Sequence, residues 1–248
     1  NNTNNETRRH HFMKTITSDM TLKDIVNEAP GAGNIFRELR IDFIHNGDRT
    51  LDEVTAEKNL SLENLIYEIN ELEPVNEDGI DLKYMDEKSV LTYIQRKYHE
   101  DLKDELPVLE EYLEHAVKQN KKRQPELEEV EELFKNIKTT FLEHVNNEDN
   151  TVFDMIDTYL GAPNSHHFEA VKPHMTSLKS EHENLAKTFY ELRALTGDYT
   201  LNSGATAELR LVYHRLEKLE KDAFNHFYLE NNKLFDGIYE KQKTISDF

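Results

Sequence analysis

Two short segments in the C-terminal half of the chain each place a histidine and a glutamate four residues apart. The first runs from His144 to Glu148 and the second from His226 to Glu230. Residues i and i+4 of an α-helix lie on one face, one turn apart, so each segment directs an imidazole nitrogen and a carboxylate toward the same point. Two such helices facing each other would form a binding site for a pair of metal ions.

Two further histidines fit the same site. His99 and His182 lie near the middle of two other long helical stretches, so each of four helices carries one histidine that can face inward. A single core histidine is usually a hydrogen-bonded structural residue. Four imidazoles and two carboxylates buried together would instead cost much free energy without a cation, because unpaired buried charge is strongly disfavoured. We therefore predict a dimetal site with six ligands: His99, His144, Glu148, His182, His226 and Glu230.

The chemistry of this ligand set limits the choice of metal. Its nitrogen and oxygen atoms favour iron, manganese or zinc over metals that prefer soft ligands. Two carboxylates could bridge two ions, each also held by two histidines, and leave room for water, an oxo bridge or a diatomic ligand. The chain contains no cysteine, which excludes thiolate ligands, disulfides and cysteine nucleophiles.

Neighbouring polar residues receive no ligand role. Glu143 and Asp149 flank the first ligand pair and are predicted to point off its face. Glu181 and Glu183 bracket His182, and we expect them to be solvated or to hold a ligand by a hydrogen bond. The other histidines of this half are predicted to lie at the surface, in a loop or beside the site: His115, His166, His167, His174 and His214.

Four long helical stretches must position the six ligands. Their apolar residues follow the helical period over about residues 86–118, 125–159, 173–195 and 203–243. Pro107 lies inside the first stretch, where we expect a kink or a break. Four antiparallel helices with modest connections form an up-down bundle, an architecture that often holds a cofactor in its core. The predicted fold class is all-α, with the bundle over residues 86–248.

A small helical module precedes the bundle. Short helical patterns, the first with Thr21 as N-cap, define an N-terminal domain over residues 20–73. Residues 74–85 open with proline, glycine and acidic residues that have no apolar period, and are predicted to be a linker. Residues 1–19 are predicted to be a disordered leader, because residues 1–12 are polar without periodicity. No role is assigned to the two histidines in that leader.

The composition limits the classes of partner. The chain has 30 basic and 49 acidic residues, a formal net charge of −19. Nucleic acids and anionic membrane surfaces both require a basic patch, so neither is an expected partner. No apolar run approaches the length of a membrane span and no signal-peptide pattern is present, so we expect a soluble, cytoplasmic protein. A homodimer is left open.

Several motifs taken together resemble the RIC family (repair of iron centres). The bundle motifs are YHEDL with His99, FLEHVNNED with His144 and Glu148, SEHENL with His182, and NHFYLENNKLF with His226 and Glu230. The segment TLKDIVNEAPGAGNIFRELRIDF resembles the short N-terminal domain of that family. The resemblance covers most of the chain after about Met20.

The resemblance implies a fold, a cofactor and a function. It implies a hemerythrin-like four-helix bundle in which the six predicted ligands hold two iron ions per chain, bridged by the two glutamates and an oxo group. It also implies a role in repairing iron–sulfur clusters damaged by nitric oxide or oxidative stress. The expected partners are damaged iron–sulfur proteins, with NO or O2 as small ligands. Such a protein would supply iron or process NO, and would not be a conventional enzyme.

The chain departs from this family at one turn. The family usually follows Ile-Asp-Phe with Cys-Cys-Gly-Gly, whereas this chain continues with Ile44-His45-Asn46-Gly47. Paired thiols therefore have no role here in redox chemistry, metal transfer or dimer linkage. His45 is either a replacement metal ligand or an exposed turn residue. Two alternatives to repair stay open: a hemerythrin-like O2 or NO binder or sensor, and a metal-storage or structural bundle.

Overall fold

The computed structural model of the chain describes residues 13–246. The chain divides into two compact units, Asn1–Met85 and Asp86–Phe248. The secondary structure of the described part is helical, apart from one isolated bridge between Thr21 and Thr50, which confirms the all-α prediction. No helix in this part is both long and apolar enough to cross a bilayer. Most of the predicted leader, including His10 and His11, lies outside the described residues.

Between residues 13 and 85, the first unit contains four short helices and a 3-10 turn. They are α1 (Leu22–Glu28), α2 (Ala32–Glu38), α3 (Leu51–Glu57), α4 (Leu62–Asn70) and the turn Leu82–Tyr84. The Thr21 side chain caps α1 by accepting a hydrogen bond from the backbone N–H of Asp24 at 3.3 Å, as predicted. Leu22, Ile25 and Phe36 are fully buried and belong to the core of this unit.

Residues on both sides of the predicted N-terminal domain also pack into this unit. Ile16, in the predicted leader, is buried, and its N–H donates to Asn70 Oδ1 at 2.9 Å. Leu82, in the predicted linker, is buried as well, and the adjacent Lys83 pairs with Glu28 at 2.9 Å. Single apolar residues in non-helical segments produce no periodic signal, so the sequence pattern did not reveal their burial.

The second unit contains four long helices, three of which include a π-helical turn. The first bundle helix comprises α5 (Glu87–Ile94), a π turn (Gln95–His99) and α6 (Glu100–Asn120). The second comprises α7 (Leu127–Asn147), a π turn (Glu148–Val152) and α8 (Phe153–Gly161). The third is α9 (Ser165–Leu195). The fourth comprises α10 (Ala207–Tyr228), a π turn (Leu229–Phe235) and α11 (Asp236–Ser246).

The structure bears on two proline-based expectations about these helices. The third helix begins at Ser165 and not near Pro173, because the Asn164 side chain caps it by accepting from the His167 N–H at 2.9 Å. His166 and His167 therefore lie in its first turn and not in a loop. The first bundle helix continues through Pro107, so the alternative of a break there is wrong, and the alternative of a kink stays a prediction. Both prolines are exposed, so water can satisfy the carbonyl groups that their missing N–H groups leave unbonded.

The four helices pack as an up-down antiparallel bundle. The first helix contacts the second and the fourth, and the third also contacts those two. The beginning of the first helix, α5, lies against α8 at the end of the second, while α6 lies against α7. Buried phenylalanines fill the core: Phe134, Phe141, Phe153, Phe189, Phe224, Phe227 and Phe235.

Candidate metal centre

The three π turns carry three of the predicted ligands. His99 ends the π turn of the first bundle helix, Glu148 begins that of the second, and Glu230 lies in that of the fourth. A π turn adds one residue to a helical turn and so changes the direction of the side chains around it. Such turns occur frequently at functional sites, and here each occurs where a ligand must face the bundle axis.

All six predicted ligands are brought together in the core. The most exposed of them, His144, has only 3% of its surface accessible, and Glu148, His182 and Glu230 have 0%. They form two overlapping groups that could each hold a metal ion, and the ligand atoms of a group lie within 4.8 Å of one another. One group contains His99 and His226, the other His144 and His182, and both contain the two glutamates.

The histidine nitrogens meet in pairs. His99 Nε2 lies 3.0 Å from His226 Nε2, and His144 Nε2 lies 3.0 Å from His182 Nε2. Two nitrogen ligands that each lie about 2.1 Å from one ion, at a right angle, are about 3.0 Å apart. The separation within each pair therefore fits two nitrogen ligands of a single metal ion.

Each glutamate directs one oxygen at each histidine pair. Glu230 Oε1 lies 2.6 Å from His226 Nε2, and its Oε2 lies 2.8 Å from His182 Nε2. Glu148 Oε2 lies 3.3 Å from His99 Nε2, and its Oε1 lies 3.3 Å from His144 Nε2. Both carboxylates are thus placed so that they could bridge two ions.

The carboxylate oxygens have lone pairs that the described residues do not satisfy. Both oxygens of Glu148 and Oε2 of Glu230 are buried and make no well-aligned hydrogen bond there, although histidine nitrogens lie 2.8 to 3.3 Å away. An ionised carboxylate that is buried without such partners costs more than the roughly 1–3 kcal/mol of an unsatisfied neutral group. Metal ions at the two histidine pairs would satisfy these oxygens, so the residues present fit a dimetal centre.

Three of the histidines are oriented by oxygen acceptors on their other ring nitrogen. Nδ1 of His99 lies 2.7 Å from Asp149 Oδ1. Nδ1 of His144 lies 2.7 Å from Glu181 Oε2. Nδ1 of His182 lies 2.8 Å from Asn231 Oδ1. An Nδ1–H donated to these oxygens leaves the lone pair of Nε2 directed into the site.

These acceptors correct the expected orientation of Asp149 and decide between the two expected roles of Glu181. Asp149, predicted to point away from the ligands, instead holds His99 of the neighbouring helix and also accepts hydrogen bonds from Lys103 Nζ at 2.6 Å and Gln95 Nε2 at 3.2 Å. It follows Glu148 in a π turn, whose altered phase the sequence pattern does not show. Glu181 was expected to be solvated or to hold a ligand, and it holds His144.

The electrostatics of the site favour added positive charge. Burial disfavours the charged form of His99, but the carboxylates around it, Asp149 first, outweigh burial and raise its pKa to about 11. Burial likewise opposes charging of His144, yet Glu148 and its other carboxylate neighbours raise its pKa to about 10. Burial also opposes ionisation of Glu230, but the histidines hold its pKa well below the ordinary value. In the metal-free protein, protons on imidazoles supply charge that metal ions would otherwise supply.

His226 has a different environment. Burial, together with the nearby His99, holds its pKa below the ordinary value despite Glu230. Its ring stacks on Tyr98, with centroids 5.4 Å apart and an angle of 3° between the planes. His182 stacks on Phe227 at 4.6 Å. Aromatic packing on the rings fixes their planes.

The remaining histidines of interest lie apart from this centre. His115 pairs with Glu208 near the end of α6. In the first unit, His45 Nδ1 lies 3.3 Å from Asp42 Oδ1, and its half-buried ring stands beside the turn that Asp42 holds. No group of three or more metal-binding side chains within residues 13–246 contains His45, so the structure gives no support to a metal-binding role for it.

Comparisons with known proteins agree with this architecture. The Hemerythrin HHE cation binding domain family matches residues 90–238, which include all six candidate ligands, and a domain of unknown function, DUF542, matches residues 18–73. The iron-sulfur cluster repair protein ScdA of Staphylococcus haemolyticus is 33% identical over 222 residues, covering 89% of this chain and 98% of that protein.

More distant relatives cover similar lengths. ScdA of Staphylococcus epidermidis is 29% identical over 227 residues, covering 90% of this chain and 99% of its own. The iron-sulfur cluster repair protein YtfE of Pectobacterium carotovorum is 24% identical over 217 residues, with 88% and 95% covered. Both units of the chain are therefore matched in the same order. The chain belongs to the hemerythrin HHE cation binding domain family and, with its N-terminal unit included, to the RIC family of iron-sulfur cluster repair proteins.

Proposed function

We propose that this chain is a di-iron protein that takes part in the repair of iron–sulfur clusters damaged by nitric oxide or oxidative stress. The observation that carries the proposal is the placement of two buried carboxylates, each with one oxygen toward each histidine pair. The repair activity itself is inferred from relatives that are named for it and match nearly the whole chain.

In this proposal His99 and His226 would hold one iron and His144 and His182 would hold the other, and Glu148 and Glu230 would each offer an oxygen to both sites. Nitrogen and oxygen ligands of this kind suit iron. When bound, the two irons would supply Lewis-acid and one-electron redox chemistry. The chain itself contributes orientation, through the acceptors on the imidazole Nδ1 atoms and the aromatic rings packed on the site.

We assign the metal chemistry to residues 86–248 and docking or gating to the N-terminal unit. The partners in this proposal are damaged iron–sulfur proteins, with NO or O2 as small ligands. The centre either supplies iron to the damaged cluster or processes NO. Both roles differ from those of a conventional enzyme with an organic substrate.

The test is restoration of a nitrosylated iron–sulfur enzyme under reducing conditions. The iron-loaded chain, with two irons per chain confirmed by metal analysis, should restore the activity of the nitrosylated enzyme. Glu148→Gln, which removes a bridging carboxylate charge with little change of shape, should restore little. Glu143→Gln, an exposed neighbour on the same helix, is the matched control and should restore fully. Full iron loading without any restoration would refute repair.

A second function is favoured by the absence of cysteine from the chain. The family resemblance implies a thiol pair at the turn that Ile44 and His45 occupy here. In that case the centre binds or senses O2 or NO without repair. Addition of either gas should then change the optical spectrum of the iron-loaded protein at a stoichiometric ratio, while the damaged enzyme stays inactive. Restoration of that enzyme's activity would instead support the first function, cluster repair.

A further inference from the structure

Three side chains of the first bundle helix converge on one carboxylate of the second. His99 Nδ1 lies 2.7 Å from Asp149 Oδ1, and Gln95 Nε2 donates to the same oxygen at 3.2 Å. Lys103 Nζ donates to the other oxygen, Oδ2, at 2.6 Å. Gln95, His99 and Lys103 are spaced four residues apart, so they lie on one face of that helix. The lysine therefore reaches the candidate metal centre indirectly, through Asp149 and His99.

The ion pair between Lys103 and Asp149 is partly shielded from water. The Asp149 side chain is only 18% exposed, and among the described residues Lys103 forms an ion pair with Asp149 alone. Solvent and salt screen such a pair less than they screen a fully exposed one. Removal of the ammonium charge would therefore change the electrostatic potential at His99.

The carboxylate behind His144 is arranged differently. Glu181 Oε2 lies 2.7 Å from His144 Nδ1, and its Oε1 accepts from the Ser177 hydroxyl at 3.3 Å. Within residues 13–246 no lysine or arginine forms an ion pair with Glu181, whose side chain is 38% exposed. Water thus screens the charge of Glu181, whereas a lysine held in place balances the charge of Asp149.

The charge on Asp149 controls how strongly His99 would donate electrons to a metal ion. A carboxylate without a counter-charge draws the Nδ1 proton toward itself and makes the imidazole more basic at Nε2. A more electron-rich ligand, with negative charge behind it, stabilises Fe(III) relative to Fe(II) and lowers the reduction potential. Lys103 opposes both effects, because its positive charge weakens the pull of the carboxylate on the Nδ1 proton.

We propose that Lys103 is a positioning residue that sets the reduction potential of the iron held by His99 and His226, acting through Asp149. Its ammonium group keeps that potential higher than the Asp149 carboxylate alone would allow. In each reduction step one Fe(III) takes one electron from an external donor and becomes Fe(II), while the Nδ1 proton stays between Asp149 and His99. The inference rests on the proposed di-iron function and deepens it, because it names a residue that regulates how easily the centre is reduced.

The test is a potentiometric titration of the two-iron chain with dithionite and redox mediators, followed by the optical and EPR signals of the irons. Lys103→Met removes the charge and nearly keeps the length of the side chain, at a position that is 39% exposed and tolerates the change. It should raise the ratio of Fe(III) to Fe(II) affinity at one iron about tenfold, which lowers one of the two midpoint potentials by about 59 mV. Lys103→Arg retains the charge and should keep both potentials near those of the wild type.

Two controls separate this effect from a general change of surface charge. Lys118→Met, at an exposed position on the same helix, is the matched control and should leave both potentials unchanged. In the Asp149→Asn background, Lys103→Met should shift the potentials much less than in the wild type, because its charge acts through the carboxylate.

Unchanged potentials in Lys103→Met with two irons bound would overturn the inference, and so would a full shift that persists in the Asp149→Asn background. A lower iron affinity of Lys103→Met at unchanged potentials would show that the lysine has only a structural role, and would overturn the inference as well. In each of these cases the wild type still holds two irons, so the di-iron proposal stands. A wild-type chain that never holds two irons would overturn the proposed function itself.

Discussion

At the scale of single residues, the candidate centre depends as much on the acceptors behind the histidines as on the ligands. Asp149 is the most connected of them, since it receives hydrogen bonds from His99, Lys103 and Gln95. The carboxylate fixes the direction of the His99 ring and raises its basicity. Loss of such an acceptor should therefore weaken metal binding without removing a ligand.

We predict that Asp149→Asn lowers the iron affinity roughly 10- to 100-fold, the range found when acceptors on ligand histidines are removed. Competition with a chelator of known affinity measures the change. Asp154→Asn, at an exposed position one turn later, is the control and should bind iron as the wild type does. Equal affinity in the two variants would show that Asp149 does not orient His99.

The raised pKa values of His99 and His144 predict how stability depends on pH in the metal-free protein. Both lie above the ordinary value of about 6.5, at about 11 and about 10. The stabilisation from their protonated forms is therefore complete below about pH 6.5 and is lost as the pH rises toward 10. Iron replaces these protons, so its binding strengthens over the same range.

Accordingly, the Tm of the chelator-treated protein should fall between pH 6.5 and 9, and the increase in Tm caused by iron should grow. Melting curves at four pH values, with and without iron, measure both effects. A gain in Tm that is the same at every pH would mean that binding iron does not displace protons from the histidines.

At the scale of elements, the π turns change the direction in which side chains point from three bundle helices beside the candidate metal centre. The hydrophobic pattern predicted the helices and their approximate limits, because apolar residues recur with the helical period on both sides of each π turn. It could not predict one extra residue in a turn, because the apolar positions of a helix follow the period only approximately. A shift of one residue leaves that pattern recognisable. Asp149 lies in such a turn, and its orientation was accordingly mispredicted.

Pro107 gives a prediction at this scale. It lies inside α6 on an exposed face, where its missing N–H and its ring disturb the helix. Pro107→Ala should stabilise the protein by about 1–2 kcal/mol, less than the full helix-interior penalty of about 3 kcal/mol because the unfolded chain gains freedom. Urea unfolding of the metal-free form measures this, with iron binding as the check that the site is intact. A loss of stability would show that Pro107 packs usefully in the helix.

At the scale of the whole molecule, the six candidate ligands and all the acceptors described for them lie in the second unit. The first unit has its own core, which extends from Ile16 to Leu82. The metal site therefore requires no side chain of the first unit, although repair is proposed to require that unit.

We predict that a fragment of residues 86–248 folds and binds the same number of irons as the full chain, but restores damaged iron–sulfur enzymes poorly. Metal analysis and the restoration assay, run on both proteins at equal iron concentration, measure the two properties. Full restoration by the fragment would show that the N-terminal unit has no docking or gating role in repair. Loss of iron binding in a folded fragment would show that the site depends on that unit.

The sequence by itself determined the ligand types and which of them share a helix face, because a spacing of four residues places His144 with Glu148 and His226 with Glu230 in any α-helix. The absence of cysteine also excluded thiolate chemistry at this level. Only the tertiary structure decided that His99 pairs with His226, 127 residues away, and that Asp149, Glu181 and Asn231 orient the rings. Those contacts depend on how helices pack side by side and on the phase that each π turn imposes, and neither is encoded in local spacing.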